Sequence, residues 1–513
     1  MTIESKIQLK SYFETGDRPT QAQFANLIDS SLRDANILIA NMIDVSGQTG
    51  IVDFTTTTNV TCRSAGVLGL QLLAANTTAQ VVSKVVTTAD VGTAVFNSVN
   101  SPTLITTVLA TANTTALSFV YKDPHSVRFH GAAGDDSTDD TAAFRATVNY
   151  VVSVSGGEVF IPSGTYKLTG VVTADSDGLT FRGEGATSII KSYNTAGSAF
   201  YFGNSSGTQR TYSGISNVRF TAQGNKTAGA AILMRDIYDG FVDNVIMENH
   251  FTGLWLTGCT ISYISRLSIF NIVPTTGCGI IIDRSPTRLG NDQYLRDVII
   301  NGIQATPAES GVKLLETGAV WLDTIGALFC DNALAVVPAS GQTVSYIFSQ
   351  RCAWDTCASY GMYISPATNG NVRNSKFIGD WTSSNTLSGV FIDSTGSVDD
   401  LEFIGHRAYN NGQRGFLVAG GSNIAIKDST FSGNSTSSPG TYQGIVIAGG
   451  TNFRISGNRS GATVQFTNSQ SAGLQISSSA VSSYIVTGND FQNNGAGFID
   501  GGASPKAVAN NLP

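Results

Sequence analysis

Three stretches of the sequence place polar, potentially catalytic groups at one repeated offset. They are QRCAWDTCA (350–358), KFIGDWTSS (376–384) and EFIGHRAYN (402–410). Counted eight residues from the first apolar position of each copy, Asp355, Asp380 and His406 fall in one column. Trp354, Trp381 and Arg407 stand beside them. If the copies stack as neighbouring strands, the two carboxylates lie about 5 Å apart at the backbone. Glycoside hydrolysis needs two carboxyls across one bond, about 5–5.5 Å apart for retention and about 6.5–9.5 Å for inversion. Close like charges raise one pKa and so create the acid. A lyase would instead need a base beside a uronate and a cation such as Arg407 to stabilise the enolate. Asp355, Asp380 and His406 are therefore the expected catalytic column. The competing reading is a structural hydrogen-bond ladder, because other copies carry Gln223, Asn434 and Asn494 at that offset. Glu248 with His250 in VIMENHFTGLW is a weaker candidate pair.

These residues need a scaffold that repeats. VRNSKFIGDWTSSNTLSGVFIDSTGS (372–397), VDDLEFIGHRAYNNGQRGFLVAGGSN (398–423) and IAIKDSTFSGNSTSSPGTYQGIVIAGGTN (424–452) share one plan. Each has an apolar pair, a small polar residue, Phe or an equivalent, a polar loop, then Gly and an alternating strand. About eleven copies with a period of roughly 27 residues follow Ile215. One copy cannot bury its own apolar face, so its neighbours must. Three short strands per copy predict the coil of a parallel β-helix, all-β, with about eleven or more coils. A β-propeller blade is longer, roughly 40–45 residues, and would show hairpin signals.

Alternation assigns faces. In GVFIDS, Val390 and Ile392 point in, whereas Phe391 and Asp393 point out. The same rule puts Arg235, Trp255, Asp283, Lys313 and Tyr363 on that outer face. Trp255 and Tyr363 suit sugar stacking, and the charged groups suit sugar hydroxyls. With Trp354, Trp381 and Arg407 they make up the expected substrate-binding set.

Composition agrees with this scaffold. Charged residues are 13% of 513, glycines number 55, and the net charge is −7. The absence of any longer Lys/Arg cluster argues against nucleic acid as a partner. No apolar run is long enough to span a membrane. The N-terminus lacks a signal peptide's apolar stretch, which points to synthesis in a cytoplasm. The six cysteines (62, 259, 278, 330, 352 and 357) read as free buried thiols; neither a metal nor another cofactor is expected. Residues 1–40 read as a helical segment, 41–124 as a Thr/Val-rich connector or small β region, and 125–513 as the β-helix.

GAAGDDSTDDTAAF (131–144) packs four aspartates into fourteen residues. A helix starting near Thr141, N-capped by Asp139 or Asp140, would cover the open end of the coil stack. Its stripe is Ala142, Ala143, Phe144, Val148 and Val151 or Val152. With GGEVFIPSGTYKL (156–168), the motif resembles the opening of the pectate-lyase-3-like right-handed β-helix family, which phage tailspikes share. The resemblance implies that Asp135, Asp136, Asp139 and Asp140 are architectural. It also implies a polysaccharide lying along the outer face described above. KIQLKSYFETGDRPTQAQFANLIDSSL is similar to the start of many phage tail and baseplate proteins. Together these imply a tailspike or tail fibre of the virion, attached to tail or baseplate proteins by its N-terminal region. They imply a homotrimer and, as the partner, host capsule or lipopolysaccharide. Hydrolysis of that glycan is the expected activity. A non-catalytic receptor-binding or structural tail protein and a polysaccharide lyase are the alternatives. Asp355→Asn or Asp380→Asn is expected to abolish depolymerisation without unfolding the chain.

Overall fold

The computed structural model describes residues 123–224, 226–467 and 470–513; before residue 121 it describes only strand backbone between 59 and 119. Two compact units divide at Pro124/His125. In the first, Ser101–Thr111 pairs antiparallel with Thr93–Ser98 and Thr114–Phe119. The expected helix within 1–40, and Cys62, lie outside the described residues.

The second unit is the expected parallel β-helix. A front sheet of thirteen strands takes one strand from each turn, from Val172–Ala174 to Ala496–Asp500. At ~4.8 Å per strand the stack is about 60 Å long. A rear sheet of 24 strands takes most of the rest, generally two strands per turn meeting at a corner, as in Asn371–Ile378 and Trp381–Ser383. Between the sheets runs one continuous apolar core.

Two backbone devices keep the turns in register. The first is a left-handed corner between the two rear strands. Asn217, Asn244, Arg266, Thr324, Arg351, Gly379, Gly405 and Gly457 all occupy it, with φ between +50° and +67°. The second explains the repeat's glycine, which begins each front strand where the two walls converge. A Cβ on Gly389 would sit 2.4 Å from Thr382 Oγ1, and one on Gly415 2.9 Å from Phe431 Cδ1. From the second turn onward a residue without a side chain, or alanine at Ala199, Ala231 and Ala333, passes this point.

The acidic opening does start the structure. Helix α1 (Thr141–Ser153) lies over the first turn, and Phe144 meets Tyr166 and Phe200 edge-on. Its buried stripe is Thr141, Ala143, Phe144, Thr147, Val148 and Val151; Ala142, expected inside, is exposed, and of Val151 and Val152 it is Val151 that faces inward. Asp140 occupies the N-cap position but caps no helical N–H. Its carboxylate accepts instead from Ala133 N (2.6 Å) and Gly134 N (3.2 Å), tying down the preceding loop. Asp139 accepts from Thr141 N and Oγ1 and from Thr169 Oγ1. Asp135 closes the Ser137–Thr138 turn, and Asp136 pairs with Lys191 at 2.7 Å. Every one of the four carboxylates is occupied in holding the first turns.

Candidate functional site

The left-handed corner decides the fate of the expected catalytic column. Arg351, Gly379 and Gly405 share the corner, so the residues that follow them, Cys352, Asp380 and His406, align. Asp355 lies three residues beyond Cys352, opposite Ser383 and Tyr409. The repeated Trp suggested another alignment, but Trp354 pairs with Thr382, and Trp381 with Ala353.

The residue after the corner points inward. Asp380 and His406 are both fully buried. Asp380 accepts from Cys352 N (2.8 Å) and Ser349 Oγ (2.5 Å). Burial raises its carboxyl to about 7 despite these bonds. Burial lowers His406 to about 3, and its Nε2 lies 3.0 Å from Thr382 Oγ1. The column then continues as a ladder: His406 N donates to Ser429 Oγ, Ser429 N to Asn458 Oδ1, and Asn458 N to Asn489 Oδ1. Trp354 is also fully buried, where Ala327 and Thr382 on the flanking turns leave room for an indole. Asp380, His406 and Trp354 therefore face the core and cannot touch a polysaccharide outside it. Asn434 belongs to a second interior ladder with Asn385 and Asn411, and Asn494 extends it through Gln470. His250 is buried too, held at about 3 by burial first and by nearby Lys226 second, while Glu248 pairs with Arg219 outside. Only Asp355, Trp381 and Arg407 of the expected column and its neighbours reach the outer surface. Ser383 and Thr356 hydroxyls donate to Asp355 at 2.7 and 3.0 Å.

The front sheet brings the other expected residues together. Leu233, Trp255, Ile281, Lys313, Ala335, Tyr363 and Phe391 occupy one register line. Arg235, Thr257 and Asp283 form the line beside it. Trp255 is half-buried, and its indole N–H has no partner. Thr257 is covered and donates to Arg284 O at 2.8 Å. Asp283 is half-buried; burial raises its carboxyl, and the charge of Glu316 raises it further. Glu316 is bound through both oxygens by Arg284 Nη1 at 3.3 Å. Lys313 pairs with Glu309, four residues earlier on the same strand. Two neighbouring carboxyls with different partners, one pushed toward its acid form, are what proton transfer requires.

Sequence reasoning missed Arg284, Glu309 and Glu316. Arg284 and Glu316 sit in the segments flanking the front strands, outside the two-residue alternation, and Glu309 lies near the start of the strand Ala308–Leu314 that carries Lys313. Further along this face, Tyr360, Tyr363 and Phe391 lie near-parallel with centroids 5.0–5.8 Å apart. Asp393 is held by Ser365 and Thr395 hydroxyls at 2.7 and 3.0 Å.

The rear sheet carries a second unforeseen feature. Tyr263, Tyr294, Trp321 and Phe348 stack along its outside, with centroids 4.5–5.5 Å apart. A shallow depression of about 240 Å³ lies over Trp321, Phe348 and Lys376. These rings spend their faces on one another, so edges meet the solvent. The signal was present as an aromatic three residues before each corner residue from Arg266 to Arg351.

Residues 125–313 match a family model described as rhamnogalacturonase A/epimerase, pectate lyase-like, and residues 340–512 match one described as right handed beta helix region. No curated protein sequence matches the chain. Among solved structures, PfbA, a surface adhesin of Streptococcus pneumoniae, is 13% identical with a TM-score of 0.50, covering 66% of this chain and 91% of its own. A tailspike protein of E. coli bacteriophage HK620, solved with a hexasaccharide, is 12% identical with a TM-score of 0.49, covering 73% and 77%. The A-module of the Azotobacter vinelandii mannuronan C-5 epimerase AlgE6 is 13% identical with a TM-score of 0.44, covering 75% and 99%. At such identities the likeness to PfbA is one of fold.

Proposed function

We propose that the chain is a phage tailspike that binds host capsule or lipopolysaccharide along the outer face of the front sheet and hydrolyses it. The observation that carries this reading is the register of that face. Trp255, Lys313 and Tyr363 share one outward line, with Arg235 and Asp283 on the next. A linear glycan needs apolar plates for its ring faces and charged groups for its hydroxyls, repeated along one axis. The motif over 129–168 and the N-terminal stretch support the assignment to a phage tail. The N-terminal unit would attach to tail or baseplate proteins, and the spike would be a homotrimer.

In this reading Asp283 supplies the proton to the leaving glycosidic oxygen. Water adds to the anomeric carbon and gives its proton to Glu316, which Arg284 positions. Asp355, Trp381 and Arg407 form a separate outer patch that binds the same glycan away from the reaction.

The test is reducing-end release from host capsule or lipopolysaccharide by the purified full chain, with ultraviolet absorbance followed in parallel. New reducing ends without absorbance are expected. Absorbance from a new double bond would make the protein a lyase. Binding without either signal would make it a receptor-binding tail protein.

A further inference from the structure

Four cations on the front face differ in one respect. Arg235, Arg284 and Lys313 each pair with a carboxylate: Asp236, Glu316 and Glu309. Arg414 pairs with none among the described residues. It is half-buried, its Nε has no partner, and its Nη1 reaches only Gln413 Oε1 at 3.4 Å. Its guanidinium lies 5.0 Å from the Tyr442 ring centroid. Burial without a carboxylate lowers the guanidinium's proton affinity. An arginine stacked on an aromatic face keeps its planar fork fixed and its edge available for bidentate contact.

A second observation points to the same place. Ser310, Asn332, Tyr360, Ser388, Arg414 and Gln443 follow one another on successive turns, in the position just before each converging-wall residue. Ser310 Oγ, Asn332 Oδ1, Ser388 Oγ, Arg414 Nε and Gln443 Oε1 are all buried atoms without a hydrogen-bond partner. Ser388 is fully buried. Native structures satisfy most such atoms, so a row of them on one sheet edge is unusual. Tyr360 joins this row to the outer face, because its ring lies 5.4 Å from Tyr363 and 5.0 Å from Phe391.

We propose that Arg414 reads a sugar carboxylate, so that the glycan held on the front face is acidic and places a uronate-type residue against the ring edges of Tyr363 and Phe391. The inference rests on the polysaccharide-binding reading above and narrows its substrate class. The planar guanidinium takes both carboxylate oxygens; Ser310 and Ser388 are fully buried and line the wall behind it without touching the sugar. Nothing is transferred or broken at this position; it is a recognition contact.

The test compares methyl α-D-glucuronide with methyl α-D-glucoside, which differ at the carboxylate carbon. Binding to the full chain is measured by ligand-observed NMR and calorimetry. The wild type is expected to bind the glucuronide and to discriminate against the glucoside. Arg414→Gln should bind the glucuronide about ten- to hundredfold more weakly, the scale of a lost charge-assisted hydrogen-bond pair. Arg414→Lys should recover part of that loss, and both variants should melt with the wild type. Equal binding of the two sugars would overturn the carboxylate assignment while leaving the glycan-binding face standing. Glucuronide preference unchanged in Arg414→Gln would place the recognition elsewhere and overturn it too. No binding of either sugar would overturn it as well; reducing-end release from whole polysaccharide then judges the broader reading separately.

Discussion

The turns before residue 365 and those after it solve one corner in opposite ways. In the earlier turns the residue behind the left-handed corner is apolar: Val218, Val245, Leu267, Val298, Ile325 and Cys352, all buried. In the later turns the same position holds Asp380, His406, Ser429, Asn458 and Asn489, equally buried. A second corner column makes the same change, from Ile272 and Cys330 to Asn385, Asn411 and Asn434. An aliphatic corner is held by packing alone. An asparagine corner also accepts a backbone N–H from one neighbouring turn and donates its amide within the stack, as Asn458 does toward Ser429 N and Ile426 O. That bonding fixes register turn by turn. Outside, the contrast reverses. The charged cluster of Asp283, Arg284, Lys313 and Glu316 belongs to the earlier turns. In the proposed reading polar residues serve chemistry outside the earlier half; inside the later half they are architecture.

Four experiments would break or sharpen this contrast. The largest effect is expected at Asp283. Asp283→Asn should lower reducing-end release by about 10²–10⁴-fold, the usual contribution of a general acid, with an unchanged melting profile. A variant with full activity would remove Asp283 from the mechanism. Next is the interior of the later turns. Asn458→Leu takes the side-chain amide away from Ser429 N and Ile426 O and overfills the corner, at a cost of about 3–5 kcal/mol. The matched change in the aliphatic column, Leu267→Val, should cost only about 1 kcal/mol. Denaturant midpoints compare them, and equal losses would mean that the ladder holds no more than packing does.

The third experiment concerns pH. Folding raises Asp380 from 3.8 to about 7, so the folded state keeps a proton that the unfolded chain releases. Its stabilisation is complete below pH 3.8 and is lost as pH rises toward 7. His406 falls from 6.5 to about 3 on folding, so its contribution is complete above pH 6.5 and is lost on acidification. Between these limits the two slopes oppose each other. Asp380→Asn removes the first and supplies the amide that later turns use. It should stabilise the chain at pH 8 by about 1–3 kcal/mol and leave depolymerisation intact. Loss of activity in a folded Asp380→Asn protein would restore it as a catalytic group. The smallest effect is expected at Asp355. With its partners Ser383 and Thr356 on an outer patch, Asp355→Asn should change stability by less than about 0.5 kcal/mol. At saturating glycan, activity should stay within about twofold of wild type, because Asp355 contacts the glycan away from the reaction and the substitution removes no proton donor from it.

Much of this molecule was legible in its residues. The repeat, the three-strand coil, the opening helix and the outward line through Trp255, Lys313, Tyr363 and Phe391 follow from period and alternation. Alternation is reliable there because each front strand is uninterrupted. The architectural use of Asp135, Asp136, Asp139 and Asp140 was implied by the resemblance of the opening motif. Asp380 and His406 were read in the right turns, but on the wrong side of the wall. Asp355 was read in the wrong register.

The sequence by itself determined how many residues make a turn and which of them alternate within a strand. Only the tertiary structure decided where each strand stops alternating. A left-handed residue resets the phase, and Asn, Arg, Thr and Gly all adopt that conformation at the same corner. No local composition marks it. The stacking of the next turn does, because only one choice of corner residue keeps thirteen turns hydrogen-bonded in register. With the corner fixed, Asp380 and Trp381, adjacent in the chain, face opposite sides of one wall.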